Sequence, residues 1–209
     1  MKKILSRIAA VLSVVTVIVS SSVVMADAEI VTSSDFISTS YSHDYSRWAS
    51  VIRSYLVGCD DGRLMRVYSG SKGYYVEYYD SDFNLLESKT IDKELSLFGG
   101  FYAGKDAYYI VSGQNNPDES ANVECFRITK YDKNWNRITS TGLYDCNTYS
   151  PFDVGSLRMT EASGYLFIRT AHEMYKTKDG YHHQANVTIQ LDESTMKLSL
   201  IHISEPTRP

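Results

Sequence analysis

SYLVGCDDGRLMRVYSGSKGYYVEYYDSDFNLLESKTI, at residues 54–91, contains four short runs of apolar, aromatic and β-branched residues. Such side chains suit a half-buried pleated surface, so each run predicts a β-strand. Polar or glycine-containing steps at 60–62, 70–73 and 80–84 separate the runs, and residues of these types favour tight hairpin turns. The segment therefore predicts a four-stranded antiparallel meander, with strands at 54–59, 63–68, 74–79 and 85–91.

The pattern recurs twice toward the C-terminus. The second copy predicts strands at 99–103, 107–112, 123–131 and 137–143, with a polar loop at 113–121. The third copy predicts strands at 156–160, 165–170 and 185–191. In the last of these, Val187, Ile189 and Leu191 alternate with polar residues, which is the period of a strand with one buried face.

The turn after each third strand is the clearest mark of a repeat. Tyr79-Asp80 is followed by Phe83-Asn84, and Tyr131-Asp132 is followed by Trp135-Asn136. Leu191-Asp192 occupies the same place in the third copy. The three aspartates are 52 and 60 residues apart, close to the period of about 50 residues of kelch-type blades.

We therefore interpret residues 54–197 as all-β: about three four-stranded antiparallel blades of an incomplete β-propeller, at 54–91, 99–143 and 155–197. Known propellers close with about 4–8 blades, and an open arc exposes an unpaired edge. The missing downstream blades of the same chain are accordingly expected as partners. The alternative is a complete β-sandwich with an irregular extension, which the 52-residue spacing disfavours.

Residues 1–28 are typical of a secretory signal peptide. Lys2, Lys3 and Arg7 precede an uncharged, mostly apolar run at 8–24, and Ala26-Asp27-Ala28 offers the small-x-small pattern of a cleavage site. The alternative is an uncleaved membrane anchor, for which the run is short and contains several Ser and Thr. Residues 29–53 are interpreted as an N-terminal arm. The expected localisation is secreted, extracellular or cell-wall associated.

The C-terminal stretch LSLIHISEPTR, residues 198–208, resembles the in-frame translation of a transposase adapter used in DNA library preparation. We therefore expect residues 198–209 to be an artefactual tail and the natural protein to continue past Lys197. The alternative is a natural strand followed by a proline-containing tail. The stretch begins where the third copy needs its fourth strand.

Composition narrows the expected partners. Without residues 1–28 and 198–209, the remaining 169 residues carry 17 Lys and Arg against 23 Asp and Glu. A mildly acidic chain without basic clusters argues against nucleic acid, and against membrane contact beyond the signal peptide. The 17 tyrosines suit strand packing and also offer faces on which sugars and peptides can stack.

Three cysteines, Cys59, Cys125 and Cys146, are present, and an exported chain permits disulfides. Cys125 and Cys146 can pair across one blade, which leaves Cys59 alone or paired outside these residues. The alternative, which the sequence favours, is free buried thiols that act as small hydrophobic side chains. The spacing of the three matches no zinc pattern.

The most polar cluster of the third copy lies between residues 170 and 184. His172, Glu173, Tyr175, His182 and His183 are predicted to bind a ligand, because this segment joins two blade strands at a face where propellers build sites. The helical pattern of two histidines around a glutamate that metalloproteases use is absent, so we assign no catalytic or metal-binding residue. The alternative is a polar hairpin whose histidines bond to the backbone.

The turns at 80–84 and 132–136 resemble the start of a calcium loop, with oxygen-bearing side chains at alternate positions. A full loop needs glycine at its sixth position and glutamate at its twelfth, where the first copy has Leu85 and Ile91. We expect these carboxylates to cap the turns through backbone N–H groups instead, and we assign no cofactor.

Residues 155–159, 170–175 and 183–186, together with the Tyr-Asp turns, resemble blade sequences of large, uncharacterised exported proteins of Gram-positive gut bacteria. The resemblance implies a secreted or wall-associated propeller-like module, and it implies no particular activity.

Three functions follow as hypotheses. The leading one is an extracellular, non-catalytic binding or adhesion module that recognises a glycan or a protein through propeller loops. The first alternative is a secreted carbohydrate-active or other enzyme on a propeller scaffold, since a fold by itself does not define an activity. The second alternative is a structural protein of the cell envelope.

Overall fold

The computed structural model describes residues 52–153 and 157–204. The predicted signal peptide and most of the predicted N-terminal arm lie outside the described residues. Within the described ranges the chain forms thirteen β-strands and no helix, which confirms the all-β prediction. Accordingly, these ranges contain no helix of the length and apolar character needed to cross a membrane.

The strands form three antiparallel meanders in chain order. The first sheet contains β1 (Ser54–Gly58), β2 (Leu64–Ser69), β3 (Tyr74–Tyr79) and β4 (Leu85–Ile91). The second sheet contains β5 (Leu97–Ala103), β6 (Tyr108–Gly113), β7 (Phe126–Tyr131) and β8 (Arg137–Leu143). The third sheet contains β10 (Arg158–Ala162), β11 (Tyr165–Lys176), β12 (His182–Asp192) and β13 (Leu198–Ser204), and β9 (Ser150–Pro151) pairs with β11.

The hairpin of β11 and β12 is the main departure from the predicted strands. β11 has 12 residues and β12 has 11, so both extend well beyond the predicted bounds of 165–170 and 185–191. Pairing continues through polar residues: His172 lies opposite Ala185, and Glu173 lies opposite Gln184. The polar side chains of this segment led the sequence analysis to predict a connection between strands. Backbone pairing does not require apolar side chains, so the strands continue through it.

β13 takes the fourth-strand position of the third sheet, next to β12. Val187 of β12 lies opposite Ile203, and the partly buried Leu198 and Ile203 pack against the core. The expected artefactual origin of residues 198–209 stays a prediction.

The three sheets stack face to face, with the second sheet in the middle. Ile110 of β6 belongs to a buried cluster with Val67 of the first sheet. Its neighbour Val111 belongs to a second cluster with Leu166 and Ile189 of the third sheet. Because successive side chains of a strand point to opposite faces, the second sheet is covered on both sides.

The predicted carboxylate caps are present in the turns after β3 and β7, and Asp192 caps the turn after β12 in the same way. Asp80 Oδ1 accepts the backbone N–H groups of Asp82 and Asn84, at 2.9 Å each. Asp132 and Asp192 accept backbone N–H groups of their own turns at 2.8–3.0 Å. Hydrogen bonds from side chains and backbone in each turn lower the pKa of all three carboxyl groups.

A non-glycine residue with positive φ completes each of these turns. The residues are Phe83 (64°), Trp135 (68°) and Met196 (55°). Trp135 packs against the preceding sheet, where its Nε1 donates a hydrogen bond to the Tyr78 hydroxyl at 2.9 Å. Met196 is buried in the cluster between the second and third sheets. Phe83, in the first copy, is 69% exposed.

Candidate functional site

One end of the sheet stack, here called the loop end, carries the segments 114–125, 144–149 and 177–181. Backbone hydrogen bonds join the first two of these segments to β11. Asn116 N–H donates to the carbonyl of Tyr149 at 2.8 Å, and Tyr149 N–H donates to the carbonyl of Glu173 at 2.8 Å. The long β11–β12 hairpin is therefore held against the loops of the second sheet.

Tyr175 and His182, two of the predicted ligand-binding residues, lie in this contact region. Asn116 Nδ2 donates to the Tyr175 hydroxyl at 2.9 Å. The His182 ring stacks on Tyr149 with 3.8 Å between ring centroids, and its Nδ1 lies 2.8 Å from the carbonyl oxygen of Met174. Both side chains are partly buried and held by the protein itself.

His183 is exposed and forms a pair with Asp179 on the same hairpin, with 2.6 Å between Nε2 and Oδ2. Asp179 also accepts hydrogen bonds from the Thr177 side chain and the Tyr181 backbone N–H. Together these contacts lower the pKa of Asp179 to about 2. The carboxylate is therefore charged at physiological pH, and the hairpin tip presents a fixed polar pair.

His172 and Glu173 stand apart from these three residues. His172 is 0% exposed, and its Nδ1 lies 2.7 Å from the Thr148 hydroxyl. Burial lowers the pKa of His172 to about 4, so the imidazole is neutral at pH 7. Glu173, the next residue of β11, points to the opposite face and lies opposite Gln184 and Ser150. All five predicted residues thus lie on the β11–β12 hairpin, but Tyr175, His182 and His183 have separate partners near its tip and His172 lies in the core.

The opposite end of the stack, here called the turn end, contains a pocket of about 730 Å³ between the second and third sheets. Its walls combine aromatic, cationic and carboxylate side chains. They include Tyr109, Lys130, Glu161, Tyr165, Asp192 and Glu193.

Two glutamates meet in this turn-end pocket. The side chains of Glu161 and Glu193 both line this pocket and lie close enough to interact. Burial, followed by this interaction, raises the pKa of Glu193. The Tyr109 hydroxyl donates to Glu193 Oε1 at 3.0 Å, and the Lys105 backbone N–H donates to Glu161 Oε2 at 2.9 Å.

The close approach of Glu161 depends on Gly104 in the turn after β5. A Cβ atom at this position would overlap the Glu161 carboxylate. Lys130 from β7 reaches the same place, where its Nζ donates to the backbone carbonyl of Glu193 at 2.7 Å. Residues of two sheets therefore build one polar wall around the carboxyl pair.

Sequence reasoning missed this pair because nothing local connects the two glutamates. Glu161 lies in β10 and Glu193 follows β12, 32 positions later. They meet because Ala162 pairs with Tyr165 and Tyr165 pairs with Asp192, which brings two turns to the same edge. Neither residue lies in a motif that the sequence marks.

In residues 52–153 and 157–204, no group of three or more His, Cys, Asp or Glu side chains is arranged to hold a metal ion. No protein-family model matches the chain, and no curated protein matches it. The chemistry of the two ends is therefore the basis for a functional assignment.

Proposed function

We propose that this chain is an extracellular, non-catalytic binding module built from propeller blades, and that it recognises a glycan in the turn-end pocket. The observation that carries the proposal is the carboxyl pair of Glu161 and Glu193 beside Tyr109 in a pocket of about 730 Å³. The volume is within the range of about 300–1,000 Å³ that is usual for small-molecule sites.

Successive copies of one sheet support the propeller part of the proposal. Three four-stranded meanders follow one another and stack through apolar faces, and each contains the same type of aspartate-capped turn. In the second and third copies the positive-φ residue of that turn is buried between its own sheet and the preceding one. In this proposal a further blade would cover Phe83 of the first copy in the same way.

The lining of the turn-end pocket suits a polyhydroxylated ligand. Carboxylates accept hydrogen bonds from sugar hydroxyls, lysine side chains donate to them, and tyrosine rings provide apolar faces with a polar edge. Acidic groups outnumber the two lysines of the pocket, Lys105 and Lys130, so the pocket favours neutral or amine-bearing sugars over acidic ones.

The proximity of the two carboxyl groups favours binding over glycoside hydrolysis. Glycosidases of the common types hold their carboxyl groups about 5–9.5 Å apart, so that a sugar carbon or a water fits between them. Glu161 and Glu193 are instead close enough for each to affect the other's carboxyl group, which does not suit this arrangement. A carboxyl group with a raised pKa, such as that of Glu193, can still serve other acid–base chemistry, and this is the basis for an enzyme as the second candidate.

Glycan-array binding followed by calorimetry tests the proposal. For a glycan that binds the wild-type chain, we expect Glu161→Gln to lower the affinity about 10-fold. This corresponds to the loss of one charged hydrogen bond worth about 1.4 kcal/mol. The matched control is His183→Ala, which removes the exposed histidine of the loop end and should leave affinity unchanged.

Two results would overturn this assignment. Loss of binding in His183→Ala with full binding in Glu161→Gln would move the site to the loop end, where the sequence predicted it. Conversion of a bound glycan to product by the wild-type chain, abolished in Glu193→Gln, would establish the enzyme instead.

A further inference from the structure

Two cysteines lie together in the core between the second and third sheets. Cys125 immediately precedes β7, and its N–H donates to the carbonyl of Leu143, the last residue of β8, at 2.9 Å. Cys146 lies three residues beyond Leu143. Asp145 and Asn147, on either side of it, both have a φ of 47°, so the chain turns back sharply at this point. This turn returns Cys146 to the start of β7.

Thr148 lies between the two thiols. Cys125 Sγ is 3.5 Å from the Thr148 carbonyl oxygen, and Cys146 Sγ is 3.4 Å from the Thr148 hydroxyl. Both thiols therefore contact the same threonine. Their residues are 0% and 4% exposed, and both are free thiols in the structure.

We propose that Cys125 and Cys146 form an intramolecular disulfide when the chain folds in an oxidising medium, and that this disulfide locks the loop end. The sequence favoured free thiols because the two cysteines are 21 positions apart and in no recognisable framework. The fold changes this assessment, since it places both sulfurs against the same residue, Thr148. The inference is independent of the glycan proposal, which concerns the opposite end of the stack.

The chemistry is thiol–disulfide exchange with a low-molecular-weight disulfide as the oxidant. One cysteine thiolate attacks one sulfur of the oxidant, which forms a mixed disulfide and releases one small thiolate. The other cysteine, once deprotonated, then attacks the protein sulfur of the mixed disulfide, which forms the Cys125–Cys146 bond and releases the second small thiolate. The two cysteines lose two electrons and two protons, and the oxidant becomes two thiols.

In the folded chain, interaction between the two thiols lowers the pKa of Cys146 and raises the pKa of Cys125. Because both sulfurs are buried in the folded chain, the reaction belongs to folding, before the loops close. The same burial then shields the finished bond from reductants.

The bond would fasten the segment after β8 to the start of β7. This segment leads directly to Tyr149, whose ring stacks on His182 and whose backbone joins Asn116 to Glu173. Locking Cys146 therefore limits how far the loop end can open. A crosslink of this span is expected to raise Tm by about 5–10 °C.

Oxidative refolding tests the proposal. The purified chain is unfolded under reducing conditions and refolded with a mixture of reduced and oxidised glutathione. It is then alkylated after denaturation and weighed by mass spectrometry. Before alkylation we expect a mass about 2 Da below that of the reduced chain, and alkylation should label one thiol instead of three. Tryptic digestion should yield peptides 106–127 and 138–158 as a crosslinked pair.

Cys59 provides the matched control, since it lies outside this cluster and is partly exposed. Cys59→Ser should form the same crosslink and retain no reactive thiol, and its Tm should rise on oxidation as in the wild type. Cys125→Ser should show neither the crosslink nor the rise in Tm. Three reactive thiols in the refolded wild-type chain, or a crosslink that includes Cys59, would overturn the proposal.

Discussion

His172 is a residue whose environment determines its charge. The side chain is 0% exposed, and its Nε2 has no hydrogen-bond partner. Its other ring nitrogen lies beside the Thr148 hydroxyl, which itself donates to the carbonyl of Cys146. Since that hydroxyl proton is already used, Nδ1 is the protonated nitrogen of a neutral imidazole, a tautomer that follows from the hydrogen-bond pattern.

The buried imidazole makes the fold sensitive to acid. An unfolded histidine has a pKa of about 6.5, whereas burial lowers the pKa of His172 to about 4. The folded state therefore binds this proton more weakly than the unfolded state. The stability that neutral His172 contributes is complete above pH 6.5 and is lost as pH falls toward 4.

Replacement of the histidine tests this dependence. We expect the wild-type chain to lose about 3 kcal/mol more unfolding free energy between pH 7 and pH 4 than the variant His172→Asn, which has no titrating group here. Urea unfolding at the two pH values measures both chains. The quantity compared is the change in unfolding free energy between pH 7 and pH 4 within each chain. Any loss of stability that the substitution causes equally at both pH values therefore cancels. Equal losses in the two chains would contradict the assignment.

At the level of elements, the β11–β12 hairpin connects the core to both ends of the stack. Its inner face carries Leu166, Ile168 and Ile189 into the apolar cluster, and its far end carries Tyr175 and His182 to the loop end. One rigid ladder therefore spans the third sheet and positions the side chains at its tip. Its outer edge is covered by β13.

β13 should be essential for the third sheet in this chain. Truncation after Lys197 removes Leu198 and Ile203 from the core and leaves β12 as an exposed edge. We expect a loss of about 2–4 kcal/mol in unfolding free energy and a tendency to aggregate, measured by urea unfolding and size-exclusion chromatography.

An exchanged strand is the control for this truncation. A different alternating sequence that keeps apolar residues at positions 198 and 203 should restore stability. The stabilisation comes from backbone pairing with β12 and from burial of apolar side chains, and not from the identity of particular residues. A truncated chain that is monomeric and as stable as the wild type would show that β13 contributes nothing to the fold.

At the scale of the whole molecule, stability comes from sheets that cover one another. The second sheet has apolar residues on both faces, and each face is buried by a neighbour. Trp135 contributes at the first of these interfaces, where it contacts the rings of Phe101 and Tyr108 and donates to Tyr78. The same turn position in the first sheet, Phe83, is 69% exposed.

Trp135 and Phe83 form a matched pair for a test of this arrangement. Trp135→Gly should lower the unfolding free energy by about 3–5 kcal/mol, because it empties the interface. Phe83→Gly should raise it by about 0.5 kcal/mol, because glycine adopts positive φ without the strain of an aromatic residue. Urea unfolding of both variants measures the difference. A large loss in Phe83→Gly would mean that its ring is packed against another part of the protein.

The sequence by itself determined the short, local features. β3, β4 and β8 begin and end at the predicted residues, and the aspartate turns bond as expected, because turn residues and alternating side chains act over a few positions. The tertiary structure decided which distant residues meet. It extended β11 and β12 through polar positions, buried His172, and brought Glu161 to Glu193 and Cys125 to Cys146. These contacts depend on how hairpins pair and stack, and no short stretch of sequence contains that information.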